Sequence, residues 1–82
     1  MTANAALTAT VFCENLLANC TGLTAAYATQ TMCETTYGAL SMPKMNCQSY
    51  HLCWGVEGRG NAPADPSVHC AHAVGGGPCM NQ

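Results

Sequence analysis

The three histidines of this chain are the residues best suited to chemistry. His51, His69 and His72 all lie in the C-terminal half, with four of the seven cysteines and the only tryptophan. Imidazole nitrogen is the commonest protein ligand for zinc, copper and iron near neutral pH. The sequence therefore predicts a metal or haem site built from these three side chains.

The arrangement of the imidazoles would decide which group is bound. Two histidines on opposite sides suit a six-coordinate haem, whereas three on one side suit copper or zinc. A haem would also need an apolar wall, for which the sequence offers Tyr50, Trp54, Val68 and Met80. Against haem, the covalent attachment motif Cys-x-x-Cys-His is missing. The structural alternative is that His51 and His69 donate hydrogen bonds to backbone carbonyls and help to close loops.

The cysteine content predicts a disulfide scaffold. Cysteine makes up seven of 82 residues, and large aliphatic residues are scarce, so a chain this short needs covalent cross-links. Disulfides place the protein in an oxidising compartment, whereas a reduced cytosolic zinc protein would show paired Cys-x2-Cys knuckles. Three bridges leave one cysteine over, for which crowding beside Cys47 and His51 selects Cys53. The six predicted disulfide cysteines are Cys13, Cys20, Cys33, Cys47, Cys70 and Cys79. The odd thiol could pair between subunits, bind a metal or form a thioether to haem; alternatively, it is a buried free cysteine or has lost its partner residue through processing.

The sequence gives no indication of an enzyme. A protease-like Cys–His pair needs a free thiol of low pKa, and most thiols here are assigned to bridges. The carboxylates are too scattered for a glycosidase pair. The run Gly75 to Gly77 precedes Pro78 rather than a helix and a lysine, so it is not a phosphate-binding loop.

The elements that must position the histidines are predicted to be helices. Helical spacing of the heavier residues and the glycine and proline breaks indicate an all-α domain of about four short helices, cross-linked by disulfides, with a loop-rich C-terminal half. Asp65 is predicted to cap the fourth helix, with Pro66 at its first position. The predicted helices span residues 3–19, 24–37, 45–56 and 66–73, with a loop at 38–46 broken by Pro43. The chain 1–82 is then one domain, with a helical hairpin at 3–37 and a His/Cys-rich half at 45–82.

Hairpin geometry predicts one specific disulfide. Cys13 and Cys33 lie at similar distances before and after the turn at Gly22, so the two thiols can face each other. In the second half, His51 shares a helix face with Cys47 and Trp54. Cysteines are expected to tie the third and fourth helices together and hold His51 opposite His69 or His72.

Charge is unusually sparse. Lys and Arg total two and Asp and Glu total four, which excludes a nucleic-acid footprint and leaves a surface that resists self-association poorly. A homo-oligomer or filament of identical subunits, or glycosylation at the Asn19 sequon, would cover that surface. No apolar run reaches membrane-spanning or signal-peptide length, so we expect a secreted protein whose signal has been removed.

From Cys13 onward the chain resembles a cysteine-rich domain of uncharacterised bacterial secreted proteins and lipoproteins. The matching motifs are Asn19-Cys20-Thr21-Gly22, Cys47-x-x-Tyr50-His51, Asp65-Pro66-x-x-His69-Cys70-x-His72-Ala73 and Gly76-Gly77-x-Cys79. The resemblance covers about 65 residues and implies an exported, disulfide-linked domain without an assigned activity. The chain differs at Tyr37 and Gly38, where another cysteine is expected, and in the additional Cys53.

These observations favour an exported, self-associating module that binds haem, copper or zinc through its histidines. An electron carrier in an extracellular assembly would follow if the ligand is haem or copper. Two alternatives stay open: a purely structural subunit of an extracellular filament, coat or matrix, and a secreted effector that binds another protein.

Overall fold

The computed structural model describes residues 6–58 and 63–80 and confirms an all-helical, disulfide-linked fold. Its four α-helices are α1 (Ala9–Asn19), α2 (Gln30–Gly38), α3 (Met42–Glu57) and α4 (Pro66–Ala73). Two short 3₁₀ turns, Ala25–Tyr27 and Gly77–Cys79, precede α2 and follow α4. No strand occurs among the residues described.

The first two helices begin later than predicted because threonines cap them. Thr8 has an extended backbone, and its hydroxyl accepts a hydrogen bond from the Val11 N–H, so α1 begins at Ala9 rather than at residue 3. Positions 3–5 of that prediction lie outside the described residues. Thr29 caps α2 in the same way, through the Met32 N–H. The predicted helix over 24–37 is therefore wrong in its first part, where a 3₁₀ turn and the extended Thr29 replace it.

Prolines lie in the first turns of the third and fourth helices. Pro43 lies in the first turn of α3, where a residue without an N–H costs no helical hydrogen bond, so the predicted loop at 38–46 is wrong in its second half. The limits of α4 match the prediction. Asp65 occupies the capping position of α4, but its carboxylate accepts a hydrogen bond from the Ser67 hydroxyl instead of capping the helix.

The core is small and aromatic. Phe12 of α1 stacks on Tyr37 of α2 at 4.2 Å between ring centroids, and Leu16 and Leu52 complete the buried centre. Each such side chain contributes about 1.5–3 kcal/mol by burial. Few large side chains take part, so cross-links must supply much of the remaining stability.

Three disulfides close loops that overlap along the sequence. Cys13–Cys33 joins α1 to α2, and it is the pair that the hairpin geometry predicts. The other two bonds are Cys20–Cys70, from the end of α1 to α4, and Cys47–Cys79, from α3 to the last 3₁₀ turn. Sequence separations of 20, 50 and 32 residues correspond to about 3–4 kcal/mol each from loop closure in the unfolded chain. Three disulfides indicate an oxidising, extracellular-type environment.

A buried polar network fixes the N-terminal segment to α3. Ser49 is fully buried, and its hydroxyl accepts a hydrogen bond from the Leu7 N–H and lies 2.9 Å from the Tyr37 hydroxyl. Tyr37 also donates to the Leu7 carbonyl at 2.6 Å. The Tyr27 hydroxyl donates a hydrogen bond to Oε1 of Gln48, which lies next to Ser49 on α3. The face of α3 carrying Gln48 and Ser49 is thus anchored to the N-terminal half.

Candidate metal centre

The helices α3 and α4 pack against each other and carry all three histidines. The expectation that disulfides tie these two helices directly is wrong, because Cys47 bonds to Cys79 and Cys70 bonds to Cys20. Their close approach is instead made possible by Gly55, where a Cβ atom would lie 3.0 Å from the Cβ of His69 and 3.6 Å from the Cα of Pro66. A glycine inside a helix is the local signal for such an approach.

The three imidazoles form one cluster. His51 comes from α3, and His69 and His72 lie three residues apart on α4. One ligand nitrogen from each lies within 4.8 Å of the other two. Nδ1 of His51 and Nδ1 of His69 are 3.3 Å apart. Zinc–nitrogen bonds of about 2.0–2.1 Å at a tetrahedral angle require nitrogens about 3.3 Å apart, so small side-chain rotations would complete such a site.

His72 has a buried ring nitrogen without a hydrogen-bond partner among the described residues. This atom is Nδ1. Buried polar groups in folded proteins nearly always have a partner, and an unmet one costs about 1–3 kcal/mol. The ring lies where a side chain at position 77 would otherwise be. Gly77 has a φ of +54°, and a Cβ there would lie 2.5 Å from Cδ2 and 2.6 Å from Nε2 of His72. A nitrogen without a partner in a histidine cluster is available as a metal ligand.

Aromatic rings surround the cluster on the α3 side. Trp54 stacks on His69 with centroids 4.4 Å apart and lies nearly parallel to His51 at 5.9 Å. Tyr50 meets His51 and Trp54 edge-on. Two of the four predicted wall residues are therefore present, whereas Val68 and Met80, the other two, are 47% and 65% exposed.

The electrostatics of the cluster favour the neutral form of His51. Burial, followed by repulsion from His72 and His69, lowers the pKa of His51 below its ordinary value of 6.5. A metal ion binds neutral imidazole, so a lowered pKa makes the ligand available at neutral pH. No carboxylate of the described residues belongs to the cluster.

A second group of donors shares His51. Cys47 lies one turn before His51 on α3, as the sequence predicts, and its sulfur is bonded to that of Cys79. Both sulfurs and a ring nitrogen of His51 lie within 4.8 Å of one another. His51 thus stands between two imidazoles and a disulfide.

The remaining predicted residues lie away from the cluster. Cys53 is the free cysteine, the one selected by the crowding argument, and it is 4% exposed. Burial raises the pKa of its thiol, so it stays protonated and is a poor nucleophile. Asn19, the predicted glycosylation acceptor, is exposed at the end of α1, and its side chain donates to the Asn15 carbonyl. A groove of about 550 Å³ borders the Cys20–Cys70 bond and is lined by none of the three histidines.

Comparisons with protein-family models, curated proteins and solved structures gave no match to this chain. The resemblance to secreted bacterial cysteine-rich domains therefore stays a prediction. Within the described parts of the chain, no helix combines the length and apolar character that crossing a membrane requires. The fold and the site define a small, all-helical, disulfide-rich domain with histidine and cysteine groups spaced for a metal ion.

Proposed function

We propose that this protein is an exported module that binds one zinc or copper ion through His51, His69 and His72. The observation that carries the proposal is the convergence of three imidazole nitrogens within 4.8 Å, together with a buried Nδ1 of His72 that has no hydrogen-bond partner among the described residues. Both features argue against the hydrogen-bond-anchor alternative. His51 and His69 bond to each other rather than to backbone carbonyls.

The geometry favours a single ion over haem. Axial imidazoles of a haem lie on opposite faces of the macrocycle, whereas these three converge on one another without a planar gap between them. Three nitrogens around one ion leave a fourth position for water or another ligand. Copper at this position would allow one-electron transfer, whereas zinc would not.

Metal titration of the oxidised, metal-free protein tests the proposal. Zinc affinity is measured by competition with a chelator, and copper(II) binding by quenching of Trp54 and by the nitrogen hyperfine pattern in electron paramagnetic resonance. His51→Gln, His69→Gln and His72→Gln should each weaken binding at least tenfold, or about 1.4 kcal/mol. Val68→Ala on α4 is the matched control, because Val68 is exposed beside His69.

Two results would overturn the assignment. Absence of saturable binding of either ion at millimolar concentrations removes the metal site. Equal affinities in the three histidine variants and the control move the ion elsewhere on the chain. A Soret band in protein from its natural source would replace the single ion with haem.

A structural subunit of an extracellular assembly is the second candidate. Besides Val68 and Met80, the side chains of Met32 and Met42 are 48% and 60% exposed, on a chain with only six charged residues. Such a surface favours association of identical copies. Size-exclusion chromatography of metal-free protein distinguishes the two candidates, because a monomer at high concentration contradicts the assembly.

A further inference from the structure

We infer that the Cys47–Cys79 disulfide is a redox-dependent half of the metal centre. When the bond is reduced, the two thiolates and His51 form a sulfur-rich site for a thiophilic cation such as zinc or copper(I). This deepens the proposed function through the shared His51, and its sulfur ligands can be tested separately.

The position of the disulfide carries the inference. Its two sulfurs are bonded to each other, and a His51 nitrogen lies within 4.8 Å of both. Once the bond is opened, the two sulfurs can move apart and bind one tetrahedral ion together with that nitrogen. Cys47 and His51 are one turn apart on α3, so the helix itself fixes two of the three donors. Cys79 is 1% exposed on the last 3₁₀ turn, which Val74, Gly75 and Gly76 join to α4.

The other two disulfides provide the contrast. Neither Cys13–Cys33 nor Cys20–Cys70 belongs to a group of ligand atoms among the described residues. Thiols released there would not form a group of three ligands with an imidazole. One bond of the three is thus placed to exchange a covalent cross-link for a metal cross-link.

The chemistry balances with a dithiol as the reductant. The dithiol transfers two electrons and two protons to the Cys47–Cys79 bond, which breaks into two thiols while the dithiol closes into a cyclic disulfide. Zinc then displaces one proton from each thiol and binds the two thiolates and the neutral His51 imidazole. Zinc itself does not change oxidation state. The ion keeps the last 3₁₀ turn joined to α3.

Linkage gives the expected magnitude. If the reduced chain binds zinc 100-fold more tightly than the oxidised chain, zinc favours reduction of this bond by the same factor, which corresponds to about 59 mV. The experiment measures zinc affinity before and after reduction by a phosphine, which is removed before titration. Cobalt(II) is the spectroscopic probe, since sulfur ligation adds a near-ultraviolet charge-transfer band that nitrogen ligation lacks.

Two double variants locate the sulfur donors. The reduced form of Cys47→Ser/Cys79→Ser should lose the gain in affinity and the charge-transfer band. The reduced form of Cys20→Ser/Cys70→Ser should keep both. Circular dichroism follows the helix content throughout, so that binding by an unfolded chain is recognised. Equal zinc uptake by the two reduced variants overturns the inference, because any pair of cysteines would then suffice.

Histidine variants separate this inference from the proposed function. In the reduced chain, His51→Gln should weaken zinc binding at least tenfold, whereas an unchanged affinity contradicts the inference. Zinc bound by the reduced chain alone would remove the three-histidine site and leave the sulfur site standing. Zinc bound equally by the oxidised and reduced chains would remove the sulfur site and leave the three-histidine site standing.

Discussion

Gly77→Ala should displace His72 from the histidine cluster. At Gly77 a new Cβ would lie 2.5 Å and 2.6 Å from two atoms of the His72 ring, and the backbone has a φ of +54°. Gly22 is a matched control, because its φ is +67° and a Cβ there would meet nothing within 4 Å. The two substitutions impose the same kind of backbone strain, and only one of them pushes on a histidine.

The magnitudes follow from these contacts. The left-handed backbone costs about 1–2 kcal/mol for alanine, and loss of unfolded-state freedom offsets about 0.4–1 kcal/mol, so Gly22→Ala should lower the free energy of unfolding by about 1 kcal/mol. Gly77→Ala adds the loss of edge-on contacts from His72 to His51 and His69, about 0.5–1.5 kcal/mol each. The total loss of unfolding free energy for Gly77→Ala should be about 2–4 kcal/mol.

The stabilisation by zinc distinguishes displacement of His72 from general backbone strain. At a zinc concentration 100 times the wild-type Kd, binding stabilises the protein by about 2.7 kcal/mol. A tenfold loss of affinity in Gly77→Ala would reduce that gain to about 1.4 kcal/mol, whereas Gly22→Ala should keep it whole. Urea unfolding with and without zinc measures the zinc-dependent gain in unfolding free energy for each variant. An equal zinc-dependent gain in the two variants would refute the placement of His72 as a ligand.

Three further changes test the fold and the charge state of the site. Ser49→Ala leaves buried hydrogen-bonding groups unmet and should lower the free energy of unfolding by about 1–3 kcal/mol in urea titrations, whereas the exposed Ser41→Ala should change it little. The folded-state pKa of His51 is lowered, so the unfolded chain binds more protons; metal-free stability should fall as pH drops below about 6.5 and level off below the folded-state pKa. That decline should be smaller in His51→Gln. An unchanged pH profile would mean that a group other than His51 takes up the protons on unfolding. Removing the Cys20–Cys70 bond by Ala substitutions should lower the melting temperature and the free energy of unfolding by about 4 kcal/mol, more than losing Cys13–Cys33.

Local signals in the sequence predicted some elements well. The Asp65-Pro66 start and the glycine run after Ala73 mark both ends of α4, and the turn at Gly22 places Cys13 opposite Cys33. These predictions depend on neighbouring residues alone. The break before α2 was missed because Thr29 resembles the other threonines of that segment, and only its hydrogen bond to the next turn distinguishes it.

The composition of the site could be predicted, but its arrangement could not. Residue types and spacing on two helices identified His51, His69 and His72 as candidate ligands. Their convergence depends on how α3 and α4 pack, which Gly55 determines through a close contact with His69. Disulfide pairing is equally non-local, since Cys20 and Cys70 are 50 residues apart and meet only in the folded chain.

Because the three disulfide loops overlap, the chain stays in one covalent piece after cleavage of its backbone. Every peptide bond between Cys13 and Cys79 lies inside at least one of the three loops. A trypsin-like protease could cut only after Lys44 and Arg59, the two basic residues of the sequence. Even after both cuts, the three pieces would stay covalently joined through the bonds Cys20–Cys70 and Cys47–Cys79. In an oxidising environment, a nicked copy would therefore keep all its residues covalently joined until a reductant opened those bonds.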